Sequence, residues 1–331
     1  METARTRDVT EAGGGPGAPR RRRRGVLAAA LTAAVVLLGG GTFAYFHTNV
    51  LGPDRICHGW VTPDAAAAAL GGGLGRVSAS EDSATGCTVE LTGWLPGKEK
   101  RLSLRSVREQ SGFPFRKGVW EVSAGRPVQL GAAPGTYDAY GGWALVPACK
   151  GTDGAVPAVR ADVTGQDAPG DADGMRRVVT SAAQALAADA GCAGPDSRSS
   201  RTLVPSAPRD TDPEKVCGIA GFRLPGVRGP QGSALREEIT GSLSAGLYCD
   251  VSFAGDKEGP FARFAVVRDP AMAATLKGRA FDRVRCAGQE TVLAHDLRYL
   301  DDSERAATRV PDTARLADTF GAAARGALHC G

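Results

Sequence analysis

The sharpest change in polarity along the chain falls near its start, where Arg20 to Arg24 abut an uncharged stretch running from Gly25 to Phe46. About 20 apolar residues cross the hydrocarbon layer as a helix, and arginines clustered on one flank hold that flank in the cytoplasm. The pattern predicts a basic, disordered cytoplasmic tail over 1–24, a transmembrane signal anchor over 25–46, a juxtamembrane spacer over 47–53, and an outer location for everything beyond. A cleavable signal peptide ending near Ala44 is the competing reading and exports the same residues as a secreted protein. Tyr45 and Phe46 favour the anchor, because aromatic rings suit the membrane interface.

Past the anchor the apolar positions come in short periodic runs. Thr62-Pro63-Asp64-Ala65 to Leu70-Gly71 carries a threonine N-cap, a proline at the first helical position, an acid in the first turn and a glycine stop, and so predicts a short helix. Cys87 to Leu91, Arg101 to Val107 and Val159 to Val163 alternate as strands, while Met175, Val178, Val179, Ala182 and Leu186 recur at helical spacing. The same order returns downstream, with strands at Leu247 to Phe253, Phe261 to Val267 and Thr291 to Tyr299. A helix follows with Leu316, Phe320, Ala323, Ala324 and Ala327 on one face, and Ser233 to Ile239 is the candidate for a second opening helix. These patterns predict an α+β fold whose mainly antiparallel sheets are covered by helices on one face.

Cysteine spacing divides the outer part into two matching sets. Cys57, Cys87, Cys149 and Cys192 are followed by Cys217, Cys249, Cys286 and Cys330, with intervals of 30, 62 and 43 against 32, 37 and 44. Asp54-Arg55-Ile56-Cys57 parallels Glu214-Lys215-Val216-Cys217, and Gly86-Cys87-Thr88-Val89 parallels Tyr248-Cys249-Asp250-Val251. A tandem duplication accounts for both, giving repeat 1 over 54–194, a Pro/Ser/Arg linker over 195–213 that leaves the units free to move, and repeat 2 over 214–331. Even cysteine numbers in an exported chain imply disulfides. Four cysteines allow three pairings per repeat, of which we take first with second and third with fourth. Zinc is disfavoured, because no closely spaced Cys/His pair occurs.

The motif Asp54-x-x-Cys57, then Thr62-Pro63-Asp64-Ala65-Ala66-Ala67-Ala68-Ala69-Leu70-Gly71, then Gly86-Cys87-Thr88-Val89 resembles exported domains of actinobacteria, including some mycobacterial cell-wall lipoproteins. The resemblance covers Asp54 to Val89 and implies export, not a reaction. Cys57 lacks a small-residue lipobox and lies beyond the anchor, so the lipid attachment of those proteins does not carry over.

Composition changes the picture in two ways. Arginine, alanine and glycine abound while asparagine occurs only at Asn49 and isoleucine only at positions 56, 219 and 239, which fits a high-G+C actinobacterial genome. The formal charge of +4 sits entirely in the first 24 residues, where seven arginines face three acids, and the remainder is balanced. A neutral outer part lacks the clustered cations that a polyphosphate needs, so nucleic acid is excluded as a partner.

No catalytic motif occurs. Gly71-Gly72-Gly73-Leu74-Gly75 follows a helix rather than a strand, the wrong context for a dinucleotide loop, and His47, His58, His295 and His329 are scattered. No cofactor or metal is expected. Repeat 1 carries about 25 extra residues between its second and third cysteines, and these include Phe113, Phe115 and Trp120. Aromatic residues on an inserted hairpin form a candidate binding surface, against the alternative that they pack onto the sheet. The reading is of a non-enzymatic binding or scaffold protein of the actinobacterial envelope, held in the plasma membrane by 25–46 and meeting an envelope protein or cell-wall component. An envelope hydrolase built from distant acids is the alternative.

Overall fold

The computed structural model describes residues 40–42, 49, 52–72, 75–92, 100–165, 169–192, 200–278 and 281–330. The expected tail over 1–24, the expected anchor apart from 40–42, the Ala44 cleavage position and linker residues 195–199 lie outside the described residues. Among the described residues no helix is long and apolar enough to cross a membrane.

The first half runs α1 (Pro63–Ala69), β1 (Arg76–Ser83), β2 (Gly86–Thr92), β3 (Lys100–Glu109), β4 (Phe115–Arg116), β5 (Val119–Trp120), β6 (Val128–Leu130), β7 (Gly135–Tyr137), β8 (Gly141–Leu145), β9 (Val156–Gly165) and α2 (Ala172–Asp189). Two short strands follow, β10 (Arg201–Leu203) and β11 (Arg209–Asp210). The second half runs β12 (Leu235–Ser242), β13 (Gly246–Phe253), β14 (Ala262–Val267), α3 (Pro270–Thr275), β15 (Asp282–Cys286), β16 (Gln289–Leu297), α4 (Asp302–Thr308) and α5 (Thr313–Leu328).

Two large antiparallel sheets result, ordered β1-β2-β3-β9-β8-β7-β6-β10 and β11-β12-β13-β14-β16-β15, beside a two-stranded sheet of β4 and β5. Their five-strand kernels, β1-β2-β3-β9-β8 and β12-β13-β14-β16-β15, share one order, in which the last strand inserts beside the third. The cystines repeat as well. Cys57–Cys87 and Cys217–Cys249 tie the opening turn to the second strand, and Cys149–Cys192 and Cys286–Cys330 tie the last hairpin to the end of the last helix. Cys57 and Cys217 both adopt the left-handed backbone, with φ of 56° and 57°. The α+β, mainly antiparallel fold and its four disulfides are therefore as the sequence pattern predicts.

Each kernel buries one face under its helices. In the first half Met175, Val178, Val179 and Ala182 of α2 cover Val89, Leu102, Leu104, Val159 and Ala161. The short α1 crosses the start of α2 where Gly174 leaves no room for a Cβ against the Ala69 backbone. In the second half Phe320 of α5 meets Phe222 and Phe264 at ring distances of 5.6 and 4.9 Å, with Leu316, Ala324 and Leu328 in the same core.

Two expectations are corrected. Residues 233–239 do not form an opening helix; Leu235 to Ser242 are strand β12, in register with β13 at Ile239↔Cys249. The Leu-Arg-Glu-Glu run has good helix formers, yet burial of Leu235 and Glu237 on one face satisfies a period of two, and long-range pairing overrides local propensity. The second correction concerns the linker. Arg201 to Leu203 pair with β6 of the first sheet, Pro205 bridges Thr240, and Arg209 and Asp210 pair with β12 of the second. Arg209 also donates to the buried Glu237 at 2.8 Å, and Glu237 accepts the Cys217 backbone N–H at 2.8 Å. The segment is a strap woven into both sheets, not a free tether.

Because loop closure in the unfolded chain grows costly with length, replacing Cys217 and Cys249 together by serine should cost about 3–4 kcal/mol. A urea or guanidinium titration under oxidising conditions measures it as a lowered midpoint.

Candidate functional site

The sheet faces opposite α2 and α5 are turned toward each other and share a third core, which α3 joins through Met272 and Ala273. Trp143, Leu145 and Ala158 come from the first sheet, and Tyr248, Ala265, Val267, Val292 and Ala294 from the second. Between them lies the segment inserted after β3. Phe113 packs edge-on against Trp143 at 4.7 Å, and Phe115 packs edge-on against Trp120 at 4.8 Å while stacking on Tyr248 at 6.2 Å.

Phe113 and Phe115 are 1% and 3% exposed, and Trp120 is half-buried, so the expected aromatic binding surface is corrected to an internal wedge. The reason is geometric. Antiparallel sheets covered on one side only would leave both opposite faces wet, and the inserted rings fill the gap between them.

Charged groups line the margins of this seam. Arg160 of β9 donates to Glu109 at 2.6 Å and to Glu121 at 2.7 Å while its guanidinium lies 5.2 Å from the Phe113 ring. Burial works against the charge, yet Glu121 and Glu109 together hold the guanidinium more firmly protonated than usual. Arg116 adds a further bond to Glu109 at 2.8 Å.

Two aspartates of the second half grip backbone of the first. Asp250 accepts from the Ala124 N–H at 3.1 Å and the Ser123 hydroxyl at 3.0 Å, and Asp269, the N-cap of α3, accepts from the Gly131 N–H at 2.8 Å. Burial pushes both carboxyls above the ordinary range. For Asp250 this is opposed by Arg263, Ala124 and Ser123 and assisted by Glu238. For Asp269 it is opposed by the N–H groups of Met272, Gly131 and Ala271 and by Arg201.

Open clefts flank the inserted hairpin on both sides. Toward the first sheet a polar hollow is lined by Glu121, Arg126, Asp138, Tyr140 and Arg160, and its charges are paired, Arg126 with Asp138 at 2.8 Å and Arg160 as described. Toward the second sheet lies a larger cleft of about 440 Å³, walled by Lys117 and Gly118 of the hairpin turn and by Arg263, Asp296, Leu297 and Tyr299. Gly118 takes φ of +74° and donates its N–H to Asp296 at 3.1 Å, while Arg263 donates to the Trp120 carbonyl at 3.3 Å. A second hollow, lined by Gln231, Ser233, Phe253, Asp256 and Glu304, shares Arg298 and Glu258 as wall residues with this cleft, and the two are termed its lobes. Tyr299 is 84% exposed, the most exposed large apolar side chain described.

The other candidate groups are dispersed. His58 contacts Glu81 at 3.3 Å, His295 lies partly buried in β16 with burial lowering its pKa, His329 closes α5 in the left-handed backbone, and His47 lies outside the described residues. Cys217, Glu237 and Cys249 bring three ligand-type atoms within 4.8 Å of one another. Their sulfurs are joined and the carboxylate is held by Arg209, which leaves no free donor set for a metal. Lys117, Arg263, Asp296 and Tyr299 carried no motif in the sequence, because hairpin insertion and strand register alone bring them together.

Fold and site together define a disulfide-stapled twin-module α+β protein with a two-lobed cleft at its seam. The chain matches no protein-family model, no curated protein and no solved structure.

Removing the wedge should be expensive: Phe113→Ala should cost about 3–5 kcal/mol, read in chemical denaturation. The aspartates give a pH signature. Where their native pKa values exceed the unfolded ones, the native state binds more protons. Stability contributed by this pair should therefore rise as pH falls from neutrality toward the ordinary aspartate range, then level off. An Asp250→Asn, Asp269→Asn variant should lose that part of the slope in denaturation midpoints measured between about pH 7 and pH 4.

Proposed function

We propose that this chain is a membrane-anchored extracytoplasmic binding or scaffold protein of an actinobacterial cell envelope. The observation that carries the reading is the cystine framework: every described cysteine is bridged, in the same pattern in both modules, and such bridges persist in oxidising compartments. The basic run and apolar stretch over 20–46 supply the route outward and the attachment. A binding role is supported by the open two-lobed cleft beside a seam that is otherwise closed by packing and ion pairs. A hydrolase of paired acids has less in its favour, since Glu109 and Glu121, two carboxylates that share one guanidinium, spend their oxygens on Arg160 and, for the second oxygen of Glu109, on Arg116.

The test uses the full chain in intact cells. A membrane-impermeant maleimide should label no cysteine until an impermeant reductant is added, and the protein should stay with the membrane after carbonate extraction. Labelling that requires permeabilised cells, or free thiols before reduction, refutes the outward placement.

A further inference from the structure

We propose that the two-lobed cleft binds a short peptide with free ends, its carboxylate in the lobe at Lys117 and its ammonium in the lobe at Glu304. The inference rests on reading the chain as a binding protein and names the ligand class of that same cleft. Its basis is a gradient of charge along the cleft.

In the first lobe three cations, Lys117, Arg263 and Arg298, face two lining carboxylates, Asp296 and Glu258. Lys117 has no hydrogen bond or ion pair among the described residues, and Asp296 is held by the Gly118 N–H. Arg263 is only loosely matched: Asp250, behind it, is 3.9 Å away and turns its other oxygen to Ser123 and Ala124. The unpaired cation that this lobe offers is therefore Lys117.

In the second lobe the balance is reversed. Asp256, Glu258 and Glu304 face a single guanidinium, Arg298, which donates to Asp256 at 2.8 Å and to Glu258 at 3.1 Å. Among the described residues the Glu304 carboxylate accepts only the Asp301 backbone N–H. Burial disfavours the Asp256 charge, but the Glu258 N–H and Arg298 outweigh it and hold this carboxyl below the ordinary range, so the lobe stays negative.

A polyanion would meet three carboxylates, a polycation would meet Lys117 and Arg263, and a neutral sugar would leave both lobes unpaired. A ligand charged oppositely at its two ends satisfies both. Between the ends, the exposed ring of Tyr299 with Leu297 and Pro260 offers an apolar wall for side chains, and the 440 Å³ of the first lobe falls in the range of small-ligand sites. A peptide of a few residues has this combination of charged ends and apolar middle.

Binding is measured on the full chain in detergent micelles by isothermal titration. Two probes are used, all-L tetra-alanine and the same tetrapeptide ending in D-Ala-D-Ala. Saturable binding of either supports the site, and the preferred probe separates a protein segment from a peptide carrying D-residues as its natural source. N-acetylation and C-terminal amidation should each weaken binding by about tenfold, the scale of one charge-assisted contact. Lys117→Ala should make acid and amide bind alike, Glu258→Gln should reduce the penalty of N-acetylation, and Tyr299→Ala should weaken all forms; Lys117 and Tyr299 are exposed, so their variants should fold.

Absence of saturable binding by both probes, or equal binding of free and blocked ends to the unaltered chain, overturns the proposal. Such a failure with outward, bridged cysteines intact would count against this ligand alone, while reduced or inward thiols would count against the envelope reading.

Discussion

The structure depends on burying the second face of each sheet. Covering one face by helices meets the needs of a single module, and the apolar groups of the opposite faces must then find another cover. Each module finds it in the other. Trp143 and Leu145 of the first sheet and Tyr248, Ala265 and Val292 of the second meet in one shared core, where Met272 of α3 also receives the Tyr248 hydroxyl. The inserted Phe113 and Phe115 reach both. A fully buried aromatic side chain contributes about 1.5–3 kcal/mol, so this small set of rings suffices to hold two modules as one body.

The polar groups of the seam act with this packing. A carboxylate taken out of water needs hydrogen bonds in return, and Asp250 and Asp269 find them on backbone N–H groups of the opposite module. Arg160 does the same for Glu109 and Glu121 from within the first module. Such bonds carry direction, which ring packing lacks. The strap from Arg201 to Asp210 adds covalent continuity and pairs with one strand of each sheet, β6 and β12.

How much of this could be read from the residues follows from the range of the interactions. Thr62 with Pro63 and Asp64 announces α1 because capping is local, and the alternation of Val159, Ala161 and Val163 or the stripe of Leu316, Phe320 and Ala324 reports burial on one face. Cysteine spacing carried the pairing because closely similar intervals recur in both halves. Residues 233–239 misled because leucine and glutamate favour helices and only the partner strand, distant in sequence, makes them extended. The aromatic insertion misled for a related reason: a cluster of rings has one composition whether it faces solvent or a second sheet, and the second sheet lies more than a hundred residues further on. The cleft was illegible, since Lys117 and Tyr299 become neighbours only once the wedge is seated.

The asymmetry of the two copies follows from the same constraint. Two sheets that face each other enclose one gap, and a gap filled to the density of a protein interior accepts one wedge. An insertion of equal size in the second copy, between Cys249 and Cys286, would compete for the space that Phe113 and Phe115 occupy. The kernel of strands, helix and cystines therefore recurs in both halves, while the insertion is present in one. The cost is loss of symmetry at the seam, and its consequence is the cleft: because the hairpin arises from the first module alone, its Lys117-Gly118 turn meets the end of β16 in the second.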